Sequence, residues 1–175
     1  MKTRQLTITA VLTALLCIAG PLTLPLGPVP LSLTTGVLML MALLLGGARA
    51  TLCCAVYLLM GLIGLPVFAG FTGGAGTLIG PTGGFLLAYL PMTALCGFLC
   101  ARWAARPGQM CAFLAGTALL YLMGTAWYCL QTGAEVSAAL AVCVLPFLPG
   151  DALKIAAVLT LGNTIRARLK KAGMV

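Results

Sequence analysis

The sequence predicts an all-α membrane protein, and its hydrophobicity, its few charges and the spacing of those charges carry this prediction. Of its 175 residues, 62% are hydrophobic and only 7% are charged, and the mean hydropathy is +1.15. Soluble domains carry about 25% charged residues, so this chain has too few polar side chains to cover a surface that faces water. The composition therefore excludes a soluble enzyme, a nucleic-acid-binding domain and a disordered chain.

The charged positions divide the chain into six predicted membrane spans. The uncharged intervals between Arg4 and Arg49, and between Arg49 and Arg102, each suit two spans of about 20 residues. Each of the two apolar stretches that flank Glu135 suits one span, and glycines and prolines mark the breaks. All of residues 1–175 then form one integral membrane domain. The predicted helices cover about 5–19, 34–45, 50–65, 85–104, 109–131 and 150–170.

The charges also predict how the chain is oriented. Every basic residue except Lys154 lies at a terminus, in the predicted turn before helix 3 or in the one before helix 5. The other connections, 20–33, 66–84 and 132–149, contain no Lys or Arg. By the positive-inside rule, this multi-pass protein has both termini in the cytoplasm. The net charge of +8 thus reports orientation and not an affinity for nucleic acid.

The N-terminal segment has some features of a secretory signal peptide, because Lys2 and Arg4 precede an apolar run. Cleavage after Ala19 and Gly20 would place Pro21 directly after the cut. We therefore expect an uncleaved first helix.

The residue inventory leaves little room for catalysis. The chain has no histidine, its only acids are Glu135 and Asp151, and it lacks the glycine-rich P-loop motif that binds ATP. Its eight cysteines include no C-x-x-C pair. Cys96 and Cys100 share a helix face, but with no acid or histidine nearby they are interpreted as packing residues. The sequence predicts no enzyme, no metal site and no cofactor.

Asp151 and Lys154 are the candidate ligand-binding residues. They lie three apart at the start of the last predicted helix, on one face and away from the cytoplasmic end. Inserting either charge at the middle of a bilayer costs about 2.5–3.5 kcal/mol, which favours a functional role. Asp151 can accept N–H groups of a small molecule, and Lys154 can donate to an oxygen. The alternative is an internal ion pair that only fixes the helix in a structural protein or a simple channel.

The three connections opposite the basic side predict a lid over this site. Residues 70–84 hold seven glycines and are predicted to form a loop, in which Phe71, Gly73 and Gly74 are candidate substrate contacts. Phe68 and Leu78 indicate that this loop folds back over the bundle. The proline-rich segment 28–35 is a further lining element, since non-helical backbone at membrane depth is tolerated where it lines a cavity. The alternative for the glycine-rich segment is a flexible outer turn.

A small-residue pair on the first helix is a candidate docking surface. Ala10 and Ala14 are four residues apart, which permits the close approach of another helix. Ala101 with Ala105 shows the same spacing, so ordinary packing within the bundle is an equal alternative.

Four sequence stretches together resemble the signature motifs of the BioY family, and they occur in the same order. The resemblance covers nearly the whole chain. The stretches are PVPLSLTT at 28–35, GLPVF at 64–68, GPTGGF at 80–85, and PFLPGDxxK at 146–154.

BioY proteins are the biotin-specific S components of energy-coupling factor (ECF) transporters. The resemblance implies a bundle of six transmembrane helices, a biotin pocket closed by outer loops and a location in the cytoplasmic membrane. It also implies partnership with a transmembrane coupling (T) subunit and two ATPase subunits. The implied function is high-affinity capture of biotin for an ATP-driven importer. The alternative within the same scaffold is another small vitamin.

The resemblance also implies roles for particular residues. Asp151 and Lys154 would bind polar groups of biotin, and the loops around 70–85 would close over it. Ala10 and Ala14 match the face on which S components dock to the coupling subunit. Two positions depart from the family pattern: Phe85 stands where a Tyr is usual, and Thr34 where a Gln is frequent. Both are nevertheless candidate substrate contacts.

Overall fold

The structure, a computed structural model, describes residues 3–24 and 31–172. The prolines at 25, 28 and 30 lie outside the described residues, so residues 28–30 of the predicted lining element 28–35 are not described; Lys2 also lies outside. The helices are α1 (Thr3–Ala19), α2 (Thr34–Leu45), α3 (Gly47–Leu62), α4 (Ala75–Ile79), α5 (Gly83–Arg102), α6 (Arg106–Thr132), α7 (Val136–Cys143), α8 (Leu148–Ala157) and α9 (Asn163–Lys171). A 3₁₀ turn (Ala69–Phe71), a π-helical turn (Val158–Gly162) and two short strands, β1 (Thr23–Leu24) and β2 (Leu31–Ser32), complete the described part.

Glycines decide where α3 begins and ends. Gly46 has φ +76°, which only glycine adopts without strain, and α3 begins at the next residue instead of near residue 50. The helix ends at Leu62, before the predicted boundary at Pro66, because Gly64 turns the chain with φ +102°. The N–H of Gly64 donates to the carbonyl of Gly61 at 3.1 Å and closes this turn. α3 is therefore shifted by about one turn relative to the prediction.

The connection between α1 and α2 is an antiparallel pair of two-residue strands. Thr23 pairs with Ser32, and Leu24 pairs with Leu31. Ser32, in this pair, lies two residues before the start of α2.

The glycine-rich connection contains more regular structure than the sequence predicts. The predicted loop at 70–84 includes the short helix α4, which begins after Gly74 at φ +91°. The N–H of Gly80 donates to the carbonyl of Gly76 at 2.9 Å, and the hydroxyl of Thr77 donates to the carbonyl of Gly73 at 3.2 Å. These two local bonds hold one helical turn in a segment whose composition favours a coil.

α5 is the central helix, and it packs against α2, α3 and α6. Two of its contacts depend on small residues. A methyl group on Gly97 would overlap the backbone of Gly47, and one on Gly116 would overlap the sulfur of Cys96. Such close approach is the usual means by which membrane helices pack. Cys96 thus serves packing, as the sequence indicates.

The helix lengths agree with a membrane protein. α5 and α6 are each long and apolar enough to cross a bilayer, and α7 with the helices from Leu148 to Leu169 forms a third such unit, bent by 45°. α1, α2 and α3 are apolar but shorter. α2 has 12 residues and so measures about 18 Å, against about 30 Å for the hydrocarbon core. The predicted number of six spans therefore stays a prediction.

Contacts between distant segments define the end of the bundle that we call the basic end. The guanidinium of Arg4 donates to the carbonyl of Ala172 at 3.5 Å, which brings the two described termini together. The amide of Asn163 donates to the side-chain oxygen of Gln109 at 2.7 Å and joins α9 to the start of α6. Basic side chains thus collect at this end, as the charge pattern predicts.

The opposite end, which we call the loop end, holds the glycine-rich connection. The N–H of Gly70 donates to the carbonyl of Pro21 at 3.3 Å, and the indole of Trp127 donates to the carbonyl of Gly80 at 3.0 Å. Phe68 is fully buried, and Leu78 packs against the core. The segment between α3 and α5 therefore lies folded against the bundle.

Candidate functional site

Asp151 and Lys154 form an ion pair at the loop end of α8. The Nζ atom of Lys154 lies 2.8 Å from Oδ1 of Asp151, and the two side chains are 11% and 7% exposed, respectively. The pairing follows from their spacing of three along one helix. A shielded pair of opposite charges is stable only if its remaining hydrogen-bonding positions are also filled.

Two hydroxyl groups from distant helices fill those positions. The hydroxyl of Tyr121, in α6, donates to Oδ2 of Asp151 at 2.6 Å. The hydroxyl of Thr35, in α2, accepts from Lys154 Nζ at 3.0 Å and lies 3.4 Å from Oδ1 of Asp151. Both carboxylate oxygens are therefore engaged, and the carboxylate is held in one orientation by three helices.

The local sequence places Asp151 at the beginning of its helix. Pro149 lies in the first turn of α8, where its missing N–H costs nothing, and the N–H of Asp151 donates to the carbonyl of Phe147 at 2.8 Å. A negative charge in the first turn is also favoured by the helix dipole. On α2, Gly36 faces the alkyl chain of Lys154. A methyl group at residue 36 would lie 3.5 Å from Cγ of Lys154, in ordinary van der Waals contact.

The ion pair lies on the wall of a small cavity, which we call the inner chamber, of about 50 Å³. Aromatic rings form much of its surface, so the two charges face an otherwise largely apolar space. This arrangement distinguishes the pair from one that is packed on all sides. The lining residues are Ser32, Thr35, Phe85, Tyr89, Leu120, Tyr121, Cys143, Phe147, Asp151 and Lys154.

A larger cavity of about 250 Å³, which we call the outer chamber, adjoins the inner one. The two chambers share Ser32, Phe85 and Tyr89, so together they form one elongated site beneath the glycine-rich connection. Small-molecule sites typically measure about 300–1,000 Å³ and combine apolar walls with a few polar groups. The outer chamber is lined in addition by Thr34, Tyr57, Phe68, Ala69, Thr72, Thr77, Thr82 and Leu86.

Buried aromatic contacts shape the walls of both chambers. The rings of Tyr57 and Phe68 meet edge to face at 5.6 Å, and the Tyr57 hydroxyl donates to the carbonyl of Val67 at 3.0 Å. The ring of Phe85 lies directly against Gly124, where a methyl group would overlap it. The first contact fixes the glycine-rich connection on α3, and the second fixes the wall that the two chambers share.

The structure brings four of the predicted substrate contacts to the chambers. Asp151 and Lys154 line the inner chamber, Thr34 lines the outer one and Phe85 lines both. Thr34 and Phe85 are the two departures from the family pattern. Both are buried: Thr34 is 2% exposed and Phe85 is 8% exposed.

The other three predicted contacts are placed elsewhere. Phe71 is 67% exposed, and neither it nor Gly73 nor Gly74 is among the residues that line the two chambers. A methyl group on Gly73 would overlap the carbonyl oxygen of Leu65, and the N–H of Gly74 donates to the carbonyl of Gly61 at 2.7 Å. The two glycines thus attach the connection to the end of α3. Threonines from the same connection face the outer chamber instead.

The candidate docking residues lie far from the chambers. Ala10 and Ala14 are both exposed on α1, whereas Leu12 and Leu16 on the opposite side of the helix are buried in the core. The small-residue pair is therefore open to contact from outside this chain.

Sequence reasoning missed several lining residues, of which Tyr121 is the most important. Its hydroxyl makes the shortest polar contact to Asp151, although 30 residues separate the two. A weak signal existed, since a tyrosine inside an apolar span usually requires a partner for its hydroxyl. Nothing in the local sequence distinguishes Tyr121 from Tyr128, which lies seven residues, or about two turns, further along the same helix.

Comparison with known proteins assigns the family. The BioY family model matches residues 1–171. A biotin transporter BioY from Thermotoga maritima is 34% identical over 168 residues, which cover 96% of each chain. The biotin transporter BioY2 of Lactococcus lactis is 36% identical over 155 residues, covering 87% of this chain and 85% of the relative.

A solved structure agrees over nearly the same length. It is the crystal structure of the S-component for biotin from an ECF-type ABC transporter, which is 31% identical in sequence. It superposes with a TM-score of 0.89 and covers 95% of this chain and 92% of its own. The predicted fold class and the predicted family are thus confirmed, and the chain belongs to the BioY family.

Proposed function

We propose that this protein is the biotin-binding S component of an ECF-type importer, which captures the vitamin and is not itself an enzyme. Family membership supports the substrate. The observation from the structure that carries the proposal is the Asp151–Lys154 pair on the wall of a cavity, with both carboxylate oxygens already oriented. A site of this kind can discriminate a ligand by its hydrogen-bonding groups.

The inner chamber suits the ureido ring of biotin. That ring offers two N–H donors and one carbonyl acceptor, which complement the carboxylate of Asp151 and the ammonium of Lys154. Because these charges are shielded from water, hydrogen bonds to them are stronger than in bulk solvent. The surrounding aromatic rings provide apolar surface for the rest of the bicyclic ring system.

The outer chamber suits the valerate arm. Its aromatic and aliphatic wall can hold the methylene groups, and the hydroxyl of Thr82 can donate its hydrogen to the carboxylate. Thr72 and Thr77 already donate their hydroxyl hydrogens to the carbonyls of Ala69 and Gly73. The predicted contacts from Phe71, Gly73 and Gly74 would require the glycine-rich connection to move when it closes over the ligand. We propose that this connection and the 20–33 connection together form the gate.

We further propose that the protein spans the cytoplasmic membrane with both termini in the cytoplasm. Basic residues collect at the end that holds the termini, whereas the ligand site lies toward the loop end. The positive-inside rule places the first end in the cytoplasm and the second outside. Biotin would then enter from the outside.

Transport needs partners, because the sequence carries no P-loop with which to use ATP. We propose a transmembrane coupling subunit and two ATPase subunits, whose hydrolysis of ATP reorients the whole S component and opens the site inward. Accumulation of biotin in liposomes that contain the purified chain alone, without a gradient, would contradict this mechanism.

Calorimetric titration with a panel of small vitamins tests the substrate assignment. Biotin should bind in a saturable manner with one site per chain, and the other vitamins should bind far more weakly. A preference for a different vitamin would assign another substrate to the same scaffold. The absence of binding by any of them would favour the second candidate, a structural or channel protein in which the observed ion pair only fixes α8.

Replacing Tyr121 by Phe should weaken biotin binding without unfolding the protein. The change removes the hydroxyl that orients Asp151 Oδ2, and a hydrogen bond to a charged group contributes about 1.5–3 kcal/mol, or roughly 10- to 150-fold in affinity. Titration calorimetry measures the loss. Tyr128→Phe is the matched control, because Tyr128 is outside both chambers, and an equal loss in the two variants would contradict the role of Tyr121.

Replacing Ala14 by Leu should impair assembly with the coupling subunit while biotin affinity stays unchanged. The larger side chain would prevent close helix approach on an exposed face that lies away from the ligand. Co-purification with the coupling and ATPase subunits measures assembly. Ala118→Leu, an equally exposed position on α6, is the control. Normal assembly of the Ala14 variant would leave that face without a docking role.

A further inference from the structure

A second cleft lies at the basic end, between the beginning of α6 and the middle of α9. It measures about 330 Å³ and is lined by Arg106, Asn163, Thr164, Ala167, Arg168 and Lys171. It is separate from the ligand site, which lies at the loop end and shares none of these residues. Three of its six lining residues are cationic.

Buried amide groups hold the two walls of this cleft together. Gln109 is 1% exposed; its amide donates to the carbonyl of Ala104 at 2.8 Å, and its oxygen accepts from the amide of Asn163 at 2.7 Å. The same Asn163 amide donates to the carbonyl of Leu159 at 2.8 Å, within the π-helical turn. This relay fixes α9 against the start of α6. The helix segments that carry the cationic side chains are thus held next to one another.

No acidic residue of the chain can neutralise this cluster. The sequence contains only two acids. Asp151 is paired with Lys154 at the loop end, and Glu135 precedes α7, beyond the far end of α6. The N-terminus of α6 contributes a partial positive charge at Arg106, and the C-terminus of α9 contributes a partial negative charge at Lys171, so the helix dipoles do not neutralise the three cations. Like charges around one cleft repel one another, so the cleft is complementary to an anion.

The surroundings of the cleft indicate what kind of anion it binds. Ile165 lies on the same face of α9 as Arg168, one turn closer to the middle of the bundle, and is 39% exposed beside other apolar side chains. The cations therefore lie where an apolar helix surface gives way to charge. In a membrane protein, that is the level of the lipid phosphates, and basic pockets at this level bind anionic head groups.

We propose that the cleft binds the phosphate head group of an anionic phospholipid. Arg106, Arg168 and Lys171 contact the phosphate oxygens, and the acyl chains extend past Ile165 along the exposed apolar surface beside it. A bound lipid would link α6 to α9 at the end of the bundle farthest from the biotin site. The site is independent of the proposed function.

Native mass spectrometry of the full chain, titrated with phosphatidylglycerol and with phosphatidylcholine of the same acyl chains, tests the proposal. We expect phosphatidylglycerol to bind the wild type about tenfold or more tightly than phosphatidylcholine. Each of Arg106→Gln, Arg168→Gln and Lys171→Gln should weaken phosphatidylglycerol binding about fivefold, and the triple variant about 100-fold. Binding of phosphatidylcholine should not change.

Arg49→Gln is the matched control, since it removes one positive charge outside the cleft. Equal losses in this control and in the cleft variants, or equal binding of the two lipids by the wild type, would overturn the proposal. Displacement of the lipid by inorganic phosphate at similar concentration would assign the cleft to a free anion instead. If the triple variant keeps its lipid affinity but does not assemble with the coupling subunit, the cleft binds a protein partner instead. Thermal unfolding in detergent verifies that each variant is folded.

Discussion

The variant Asp151→Asn is expected to lose biotin affinity by about 30-fold or more, because removing one partner of a buried, hydrogen-bonded charge pair costs about 2–5 kcal/mol. The same change leaves the ammonium of Lys154 shielded from water without a counter-charge. That uncompensated charge should also lower the free energy of unfolding by about 3–5 kcal/mol. Lys154→Met should behave alike, with the carboxylate of Asp151 left unpaired.

The double variant, Asp151→Asn with Lys154→Met, separates binding from stability. It carries neither charge, so the stability lost in each single variant should largely return. Biotin affinity should not return, because the groups proposed to contact the ureido ring are both absent. Thermal unfolding in detergent and titration calorimetry measure the two quantities on the same preparation.

A single outcome would assign a purely structural role to the pair. If the double variant binds biotin as tightly as the wild type, the charges do not contact the ligand, whatever the single variants do. Glu135→Gln is the control for the loss of one negative charge, since Glu135 lies outside both chambers and should leave affinity unchanged.

Replacing Gly124 by Ala is expected to weaken biotin binding about tenfold or more, although residue 124 lines neither chamber. A methyl group there overlaps the ring of Phe85, which forms the wall between the two chambers. Because the interior is close-packed, overpacking of this kind costs about 1–3 kcal/mol, and it displaces the ring toward the ligand space. Titration calorimetry and thermal unfolding should both register the change.

Two further variants make the Gly124 result specific. Gly76→Ala adds the same methyl group where no neighbouring atom lies within 4 Å, and it should leave affinity unchanged without lowering stability, because alanine is favoured over glycine inside a helix. Phe85→Leu combined with Gly124→Ala replaces the displaced ring by a smaller side chain, and affinity should partly recover. Failure of the single Gly124→Ala variant to reduce affinity would mean that the wall tolerates the shift and that Phe85 does not define the site.

The helices were predictable because apolar length and breakers are local properties. α2 has the predicted bounds of 34–45, and the differences at α3 arise from the backbone of Gly46 and Gly64. The helix α4 was not predicted, because one turn held by two local hydrogen bonds leaves little trace in a glycine-rich composition. The loss of backbone freedom that glycine incurs on ordering is offset there by contacts with α3 that the sequence does not reveal.

From spacing alone, the candidate site was predictable only where one helix carries it, whereas Thr34 and Phe85 followed from the family resemblance. Asp151 and Lys154 are paired by a spacing of three residues, and a charge inside an apolar segment is conspicuous in any sequence. Residues of the glycine-rich connection line the outer chamber, and its role as a lid stays a prediction. The contacts predicted within it rested on composition. The structure turns Gly73 and Gly74 toward α3 and presents threonines to the outer chamber.

The sequence by itself determined that this is a helical membrane protein of the BioY family, and it identified the charged pair at the start of α8. These properties follow from composition, short motifs and spacing within one helix, all of which are local. Only the tertiary structure decided that Tyr121 and Thr35 orient the carboxylate and that Gly124 supports the wall at Phe85. Thr35 lies 116 residues from Asp151, and the packing of separate helices, not the sequence between them, brings the two together.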